Sequence, residues 1–117
     1  MNKEFVTYKQ SLALKELGYD EPAICYYNRE HNLTSNISPK DWHLNLPYSV
    51  DGENIKAPLY QQAFRWFREK YGLGYVIEYH CEGYNLLVSK YYRNRYSTYE
   101  EAEQACLNKL IEICKNK

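Results

Sequence analysis

Three segments with the apolar spacing of amphipathic helices alternate with short runs of β-branched and aromatic residues, and together they predict an α+β fold. We expect about three amphipathic helices packed on a small, mainly antiparallel sheet, in the order α-β-(β)-α-β-β-α, where brackets mark the least regular strand. The length of 117 residues is that of one ordinary domain. The prediction is therefore a single domain over residues 1–117, with an irregular polar segment at 29–56.

The first helix is predicted within "TYKQSLALKELG". Thr7 and Gln10 have the spacing of a capping box, in which each side chain bonds the backbone amide of the other residue. Gly18 is placed to end the helix, because a left-handed residue after a helix is tolerated best without a Cβ atom. The following "AICYYN" has the composition of a strand.

Residues 29–56 are polar and rich in Asn, Ser, Pro and Asp. Within them "DWHLNL" alternates between apolar and polar side chains, which is typical of a half-buried strand. A loop of this length without structure is unusual in a compact domain, so we expect some local structure here.

The run "APLYQQAFRWFREKYGL" predicts the central helix, from Pro58 in its first turn to a stop at Gly72. Its rings fall on one arc and its polar residues on the opposite one, so we expect the aromatic arc to be core. Arg65 and Glu69 form one i,i+4 pair on the exposed side. The aromatic arc contains Leu59, Tyr60, Ala63, Phe64, Trp66, Phe67 and Tyr71.

Two strand-like runs, "YVIEYHC" and "YNLLVSKYY", flank a short "EG" turn and predict a β-hairpin. The side chains of Tyr75, Ile77, Tyr79 and Cys81 are expected on one face, because successive strand residues alternate between faces.

The last helix is predicted within "STYEEAEQACLNKLIEICK". Either Ser97 or Thr98 has a glutamate three positions later, as a capping box requires, and early glutamates favour the positive end of the helix dipole. The expected buried stripe is Tyr99, Ala102, Cys106, Leu110 and Ile113.

Three runs taken together, "EFVTYKQSLALKELGYDEP", "APLYQQAFRWFREKYGL" and "STYEEAEQACLNKLIEI", resemble a family of small proteins of phages and of bacterial genomes that carry prophages. The resemblance covers both ends of the chain and does not extend to residues 29–56 or to the hairpin. It implies an intracellular accessory protein of phage type, and it supplies no catalytic residue.

Charge and cysteine usage indicate the compartment. Fifteen basic and fifteen acidic residues balance, so no overall field attracts nucleic acid or an acidic membrane. The four cysteines form no C-x-x-C pair, and neither an apolar leader nor a run of membrane-spanning length is seen. We expect a reduced, cytoplasmic protein without a membrane partner.

No constellation predicts catalysis, a cofactor or a metal. A zinc site would use Cys25, Cys81 and His80, with His31 or His43 as further candidates. Only His80 and Cys81 are close in sequence, and neighbouring strand residues point to opposite faces. The same geometry separates Cys81 from a base, so we expect its thiol to be buried or half-buried. We predict a protein that is not an enzyme.

Nucleic-acid binding is the alternative function. From Pro58 onward the order helix, hairpin, helix is similar to part of a double-stranded RNA-binding domain, provided that a third strand lies near residues 90–96. The segment "SKYYRNRY" interleaves rings and cations, as a surface for stacking and phosphate contacts does. However, Glu100, Glu101 and Glu103 would repel phosphate from the last helix, and basic residues also protect sheet edges.

Protein binding is the predicted function, with a host or phage protein as partner; self-association as a homodimer through a sheet edge stays open. Tyr accounts for 14 residues, and interfaces are enriched in Tyr, Trp and Arg. The candidate surface residues are Trp42, Arg65, Arg68, Lys90, Tyr91, Tyr92, Arg93 and Arg95.

Overall fold

The computed structural model describes residues 4–21, 23–35, 55–90 and 92–116. Its helices and antiparallel strands confirm the predicted α+β class, although the strands form two small sheets where one was expected. The chain divides into two compact units, Met1–Leu59 and Tyr60–Lys117, and the single domain over 1–117 stays a prediction. The elements of the described residues are α1 (Tyr8–Glu16), β1 (Cys25–Tyr27), β2 (Leu33–Ser35), β3 (Ile55–Ala57), α2 (Tyr60–Tyr71), β4 (Tyr75–His80), β5 (Gly83–Val88), β6 (Tyr92–Tyr96) and α3 (Tyr99–Lys115).

Local signals at both ends of α1 are confirmed. The backbone N–H of Thr7 donates to the Gln10 side chain (2.9 Å), and the N–H of Gln10 donates to the Thr7 hydroxyl (3.2 Å). Gly18 has a φ of 95°, and the N–H of Tyr19 donates to the Leu14 carbonyl (2.9 Å). These bonds use backbone groups that a helix end otherwise leaves without a partner.

The first sheet belongs to the first unit and has the order β2-β1-β3, with both pairs antiparallel. The strand predicted in "AICYYN" is confirmed as β1. The Tyr27 hydroxyl donates to the Val6 carbonyl (2.6 Å) and ties β1 to the segment before α1. The buried cluster of this unit consists of Phe5, Ile24, Cys25 and Ala57.

The irregular segment expected at 29–56 contains β2 near its start, and β3 begins at its end. The local structure expected within this segment is therefore present at both of its described ends, in strands of three residues that pair with β1. The strand predicted in "DWHLNL" lies outside the described residues.

Pro58 was predicted in the first turn of the central helix, but α2 begins two residues after it. The carbonyl of Pro58 accepts a hydrogen bond from the Val6 N–H (3.0 Å). Gly72, with a φ of 68°, confirms the predicted stop. The aromatic arc is confirmed as core: its buried members are Tyr60, Ala63, Phe64, Trp66 and Phe67. Arg65 and Glu69 form the predicted exposed pair, with Nε and Oε1 3.4 Å apart.

The second sheet has the antiparallel order β4-β5-β6. The hairpin is confirmed, and β6 is a strand at the place that the RNA-binding comparison required. The predicted "EG" turn is wrong by one residue. His80 pairs with Gly83, so the turn residues are Cys81 and Glu82, which both have positive φ, 51° and 61°.

The helix α3 is capped by Thr98 and not by Ser97, because the Thr98 hydroxyl accepts from the Glu101 N–H (3.2 Å). It packs on the second sheet, chiefly on β5, and against α2. Tyr99 was expected to be buried but is 37% exposed. The buried residues of α3 are Ala102, Glu103, Cys106, Leu107, Leu110, Ile111 and Cys114. Neither α3 nor any other helix in the described ranges has the length and apolar character needed to cross a membrane.

Candidate interaction surface on the second sheet

Side-chain alternation along β6 separates its tyrosines from its arginines. The hydroxyls of Tyr92 and Tyr96 are 2.7 Å apart, and Nζ of Lys109 in α3 lies 4.9 Å from the centroid of the Tyr92 ring. Both tyrosines therefore lie on the side of the sheet that faces α3, whereas Arg93 and Arg95 lie on the other side. The rings of Tyr92 and Tyr96 thus do not share a surface with the cations of Arg93 and Arg95, as the nucleic-acid interpretation needs.

Most of the described tyrosines of the second sheet have their rings on the side of the sheet that faces the helices. The ring of Tyr75 lies 4.5 Å from that of Phe64 in α2. Tyr84 makes edge contacts with Tyr79 (5.4 Å) and with Tyr99 of α3 (5.8 Å). Much of the tyrosine excess is therefore used where a half-buried ring needs a polar tip.

Arg95 crosses the open side of the sheet and holds the hairpin turn. Its Nη2 donates to the carbonyls of His80 (2.6 Å) and Cys81 (2.7 Å), and its Nη1 donates to Oδ1 of Asn85 (3.2 Å). A Cβ atom on Gly83 would lie 2.8 Å from Nη2. The guanidinium thus occupies the space over Gly83 and is engaged within the chain.

The open side of the second sheet carries a mixed apolar and charged surface. Paired residues form a row across the three strands, from Val76 through Leu87 to Arg93. Val76 is 51% exposed and Leu87 half-buried. Glu78 lies in the next row and is exposed. We name this side of β4, β5 and β6 the open face. Its groove of about 530 Å³ is lined by Val76, Glu78, Asn85, Leu87, Arg93 and Arg95, and also by Leu86 and Asn94, which belong to the alternate row.

Of the other predicted surface residues, those that the structure describes do not join the open face. Arg65 and Arg68 are exposed on α2. Lys90 is exposed in the turn after β5. Trp42 and Tyr91 lie outside the described residues. The structure therefore brings together Arg93 and Arg95 from the predicted set, and it adds Val76, Glu78 and Leu87, which only the two-residue alternation of the strands could have indicated.

Cys81 is exposed, so the expectation of a buried or half-buried thiol is wrong. Its place in the turn also brings Sγ within 3.6 Å of Nδ1 and 3.7 Å of Nε2 of His80, where opposite strand faces were expected. Because both ring nitrogens are about equally distant, the sulfur is not in line with the lone pair of either one. This is not the arrangement of a nucleophile hydrogen-bonded to its base.

Glu103, one of the glutamates expected to repel phosphate from α3, lies in the second turn of that helix and is only 8% exposed. Burial, followed by the charge of Glu100, raises the pKa of its carboxyl. Burial also raises the pKa of the Cys106 thiol to about 12, so this thiol stays protonated and unreactive. The burial of Glu103 was not predicted, because a glutamate early in a helix is usually explained by the helix dipole.

Metal-ligand residue types are dispersed over the described ranges, where His, Cys, Asp and Glu nowhere form a group of three or more that could hold an ion. The absence of metal, cofactor and catalysis stays a prediction.

Comparison of the chain with models of protein families, with curated proteins and with solved structures gives no match.

Proposed function

We propose that this protein is a non-enzymatic protein-binding module, a cytoplasmic accessory protein of phage type, and that it docks a host or phage protein on its open face. The phage-type role rests on the resemblance of its two ends to that family. The docking surface rests on the geometry of the second sheet.

An unengaged cation beside exposed apolar surface carries the proposal. Within the described segments, Arg93 has no hydrogen bond or ion pair, in contrast to Arg95, which holds the turn. Val76 is 51% exposed, and Leu87 lies between it and Arg93 in the same row. Arginine next to apolar surface is the combination that protein interfaces favour.

The chemistry of this row indicates the kind of segment that it accepts. An apolar side chain of the partner would cover Val76 and Leu87, and a neighbouring carboxylate would bond the Arg93 guanidinium in its fork geometry. We therefore expect a partner segment in which an acidic residue lies next to an apolar one.

The test is a pull-down from lysate of the bacterial host with the tagged full chain, with and without nuclease, read by mass spectrometry. We expect a stoichiometric protein that survives nuclease and is lost with Arg93→Glu. The matched control is Arg65→Glu, which reverses an exposed arginine on α2 and should keep the partner.

Two outcomes would contradict the proposal. Retention of the partner by Arg93→Glu, with loss by Arg65→Glu, would move the surface to α2. Recovery of nucleic acid, or of proteins that disappear after nuclease, would favour the second candidate function.

That second candidate is nucleic-acid binding, and the presence of β6 favours it. The second unit runs helix, three strands, helix, which is the order of elements in a double-stranded RNA-binding domain. Against it, the first turn of α3 carries Glu100 and Glu101 where phosphate contacts would be expected.

Binding of duplex and single-stranded RNA over a salt series tests this candidate. If the protein binds RNA through β6, Arg93→Glu should weaken binding and reduce the slope of log affinity against log salt by about one. Charge reversal at Arg95 is unsuitable, because it would also remove the bonds that hold the turn. Unchanged binding by Arg93→Glu would remove β6 from consideration.

A further inference from the structure

Among the described residues, the strand β4 is an edge of the second sheet. In the described sheets it pairs with β5 alone, and with six residues it is the longest of the edge strands. Glu78 is its single formally charged residue, whereas the opposite edge β6 carries Arg93 and Arg95. Charges on an edge strand discourage pairing with another chain, and a longer apolar edge favours it. Of the two edges of this sheet, β4 is the one suited to accept a further strand.

One hydrogen bond shows which backbone groups of β4 face outward. The N–H of Ser89 donates to the carbonyl of Gly74 (2.9 Å), next to the first residue pair of the β4-β5 ladder. In an antiparallel ladder, pairs that exchange hydrogen bonds alternate with pairs that do not. Every second residue counted from Gly74 therefore bonds β5, and the residues between them direct N–H and C=O to the outer edge. These outward residues are Tyr75, Ile77 and Tyr79.

The outward residues are self-complementary in one register. Two copies of β4 can pair antiparallel about a two-fold axis perpendicular to the sheet. Opposed residues must then have their side chains on the same side of the joined sheet, so the possible alignments of the two strands differ from one another by steps of two residues. When Ile77 faces Ile77 of the second copy, Tyr75 faces Tyr79 of that copy. All three outward N–H and all three outward C=O groups of each strand are then bonded.

The neighbouring registers are worse. Centring the pairing on Glu78 places two carboxylates opposite each other and brings Tyr75 to Cys81, in the turn. Centring it on Val76 pairs Tyr79 with Leu73, outside the strand. In the register about Ile77, by contrast, Val76 faces Glu78 of the second copy, and no like charges meet.

The other edge strand of this sheet, β6, is not suited to pair with a second copy of itself. The pairing of β5 with β6 leaves Arg93 and Arg95 as the outward residues of β6, by the same alternation. Two copies of β6 paired about Asn94 would place Arg93 of one copy directly opposite Arg95 of the other. Like charges at that distance destabilise a strand pair.

We propose that two copies of this chain associate through β4, antiparallel about Ile77, and join their second sheets into one six-stranded sheet. The inference does not depend on the proposed function. The two-fold axis keeps both open faces on the same side of the joined sheet, so the dimer would offer two docking surfaces to one partner or to a repeated one, with a gain in avidity.

Sedimentation equilibrium of the full chain over a concentration series tests the association. We expect a monomer-dimer equilibrium for the unchanged protein. Tyr79→Pro removes one outward N–H from each strand at a residue that is 66% exposed, and should raise the dimer Kd about tenfold or more. The matched control is Arg93→Pro, which makes the same backbone change at an outward, exposed residue of β6 and should leave the Kd unchanged.

Circular dichroism must show that both proline variants are folded. A chain that stays monomeric at every concentration would overturn the proposal. Loss of the dimer in Arg93→Pro, with retention in Tyr79→Pro, would overturn it equally.

A charge exchange tests the register and does not depend on a proline variant that folds. Val76→Glu places a carboxylate opposite Glu78 of the second copy at two symmetric positions, and should raise the dimer Kd roughly three- to tenfold. Adding Glu78→Lys makes both contacts attractive and should restore the Kd. Both positions are exposed, so folding should tolerate the changes. A double variant that dimerises no better than Val76→Glu alone would overturn the register about Ile77.

Discussion

At the scale of single residues, Glu103 should make stability depend on pH. Burial raises the pKa of its carboxyl above the ordinary value of 4.5. As the pH rises from that value, the unfolded chain loses this proton before the folded chain does, so the free energy of unfolding falls until the pH passes the folded pKa. At neutral pH the full cost of the buried charge is present.

The change Glu103→Gln should therefore raise the melting temperature by a few degrees at neutral pH and flatten its decline above pH 4.5. Thermal unfolding from pH 4 to pH 8 measures this. Glu69→Gln, at a side chain that is 63% exposed, is the control and should change little. A Glu103→Gln protein that is less stable than the unchanged protein at neutral pH would show that the carboxylate is stabilised as an anion.

Ser11 offers a second test at this scale. Its hydroxyl is buried in α1 and has no hydrogen-bond partner among the described residues. An unsatisfied buried hydroxyl is destabilising, and Ala is also the better helix former, so Ser11→Ala should stabilise the protein by about 1 kcal/mol. Chemical denaturation measures the change. A loss of stability would mean that the hydroxyl has a partner.

Single residues were predictable where their role is local. Thr7 with Gln10 was predicted as a cap, and Thr98 ahead of Glu101 was one of two predicted alternatives, because a cap involves residues only three positions apart. The burial of Glu103 was not predictable, since the spacing that makes a glutamate favourable near a helix start says nothing about what packs over it.

At the scale of elements, Gly83 and Arg95 should act as one unit. A Cβ atom on Gly83 would displace the Arg95 guanidinium, which is the end of a flexible side chain, from the carbonyls of the turn. The steric cost itself is small, so Gly83→Ala and Arg95→Ala should each cost about 1 kcal/mol through the same lost hydrogen bonds.

A double-mutant cycle measures this coupling. With Arg95→Ala already present, Gly83→Ala should be neutral or stabilising, because its space is then empty and alanine loses less backbone entropy than glycine on folding. Costs that simply add in the double variant would show that the two residues act independently.

The same unit explains why the turn was misplaced by one residue. Glycine usually marks a turn position that needs positive φ, and "EG" followed that rule. Here Cys81 and Glu82 have the positive φ values. The absence of a side chain at Gly83 leaves room for the guanidinium of Arg95, which lies twelve residues later in β6. A signal that depends on β6 is not visible in the hairpin itself.

At the scale of the whole molecule, a single domain predicts one cooperative unfolding transition. Ser11 belongs to the first compact unit and Glu103 to the second. If the chain is one domain, Ser11→Ala and Glu103→Gln should each shift the same calorimetric transition. Two transitions, each moved by one substitution, would show that the units unfold separately.

The sequence by itself determined the α+β class, the capping box and glycine stop of α1, and the buried aromatic face of α2. Each of these follows from residue spacings within one element, and a short stretch of chain contains all of that information. Tertiary structure alone decided that the strands form two sheets, that the side of β6 with Tyr92 faces α3 whereas the side with Arg93 is the open face, and that β4 is an edge of the described sheets. These features depend on pairing and packing between residues far apart in the chain, and no local pattern records which partner a strand finds.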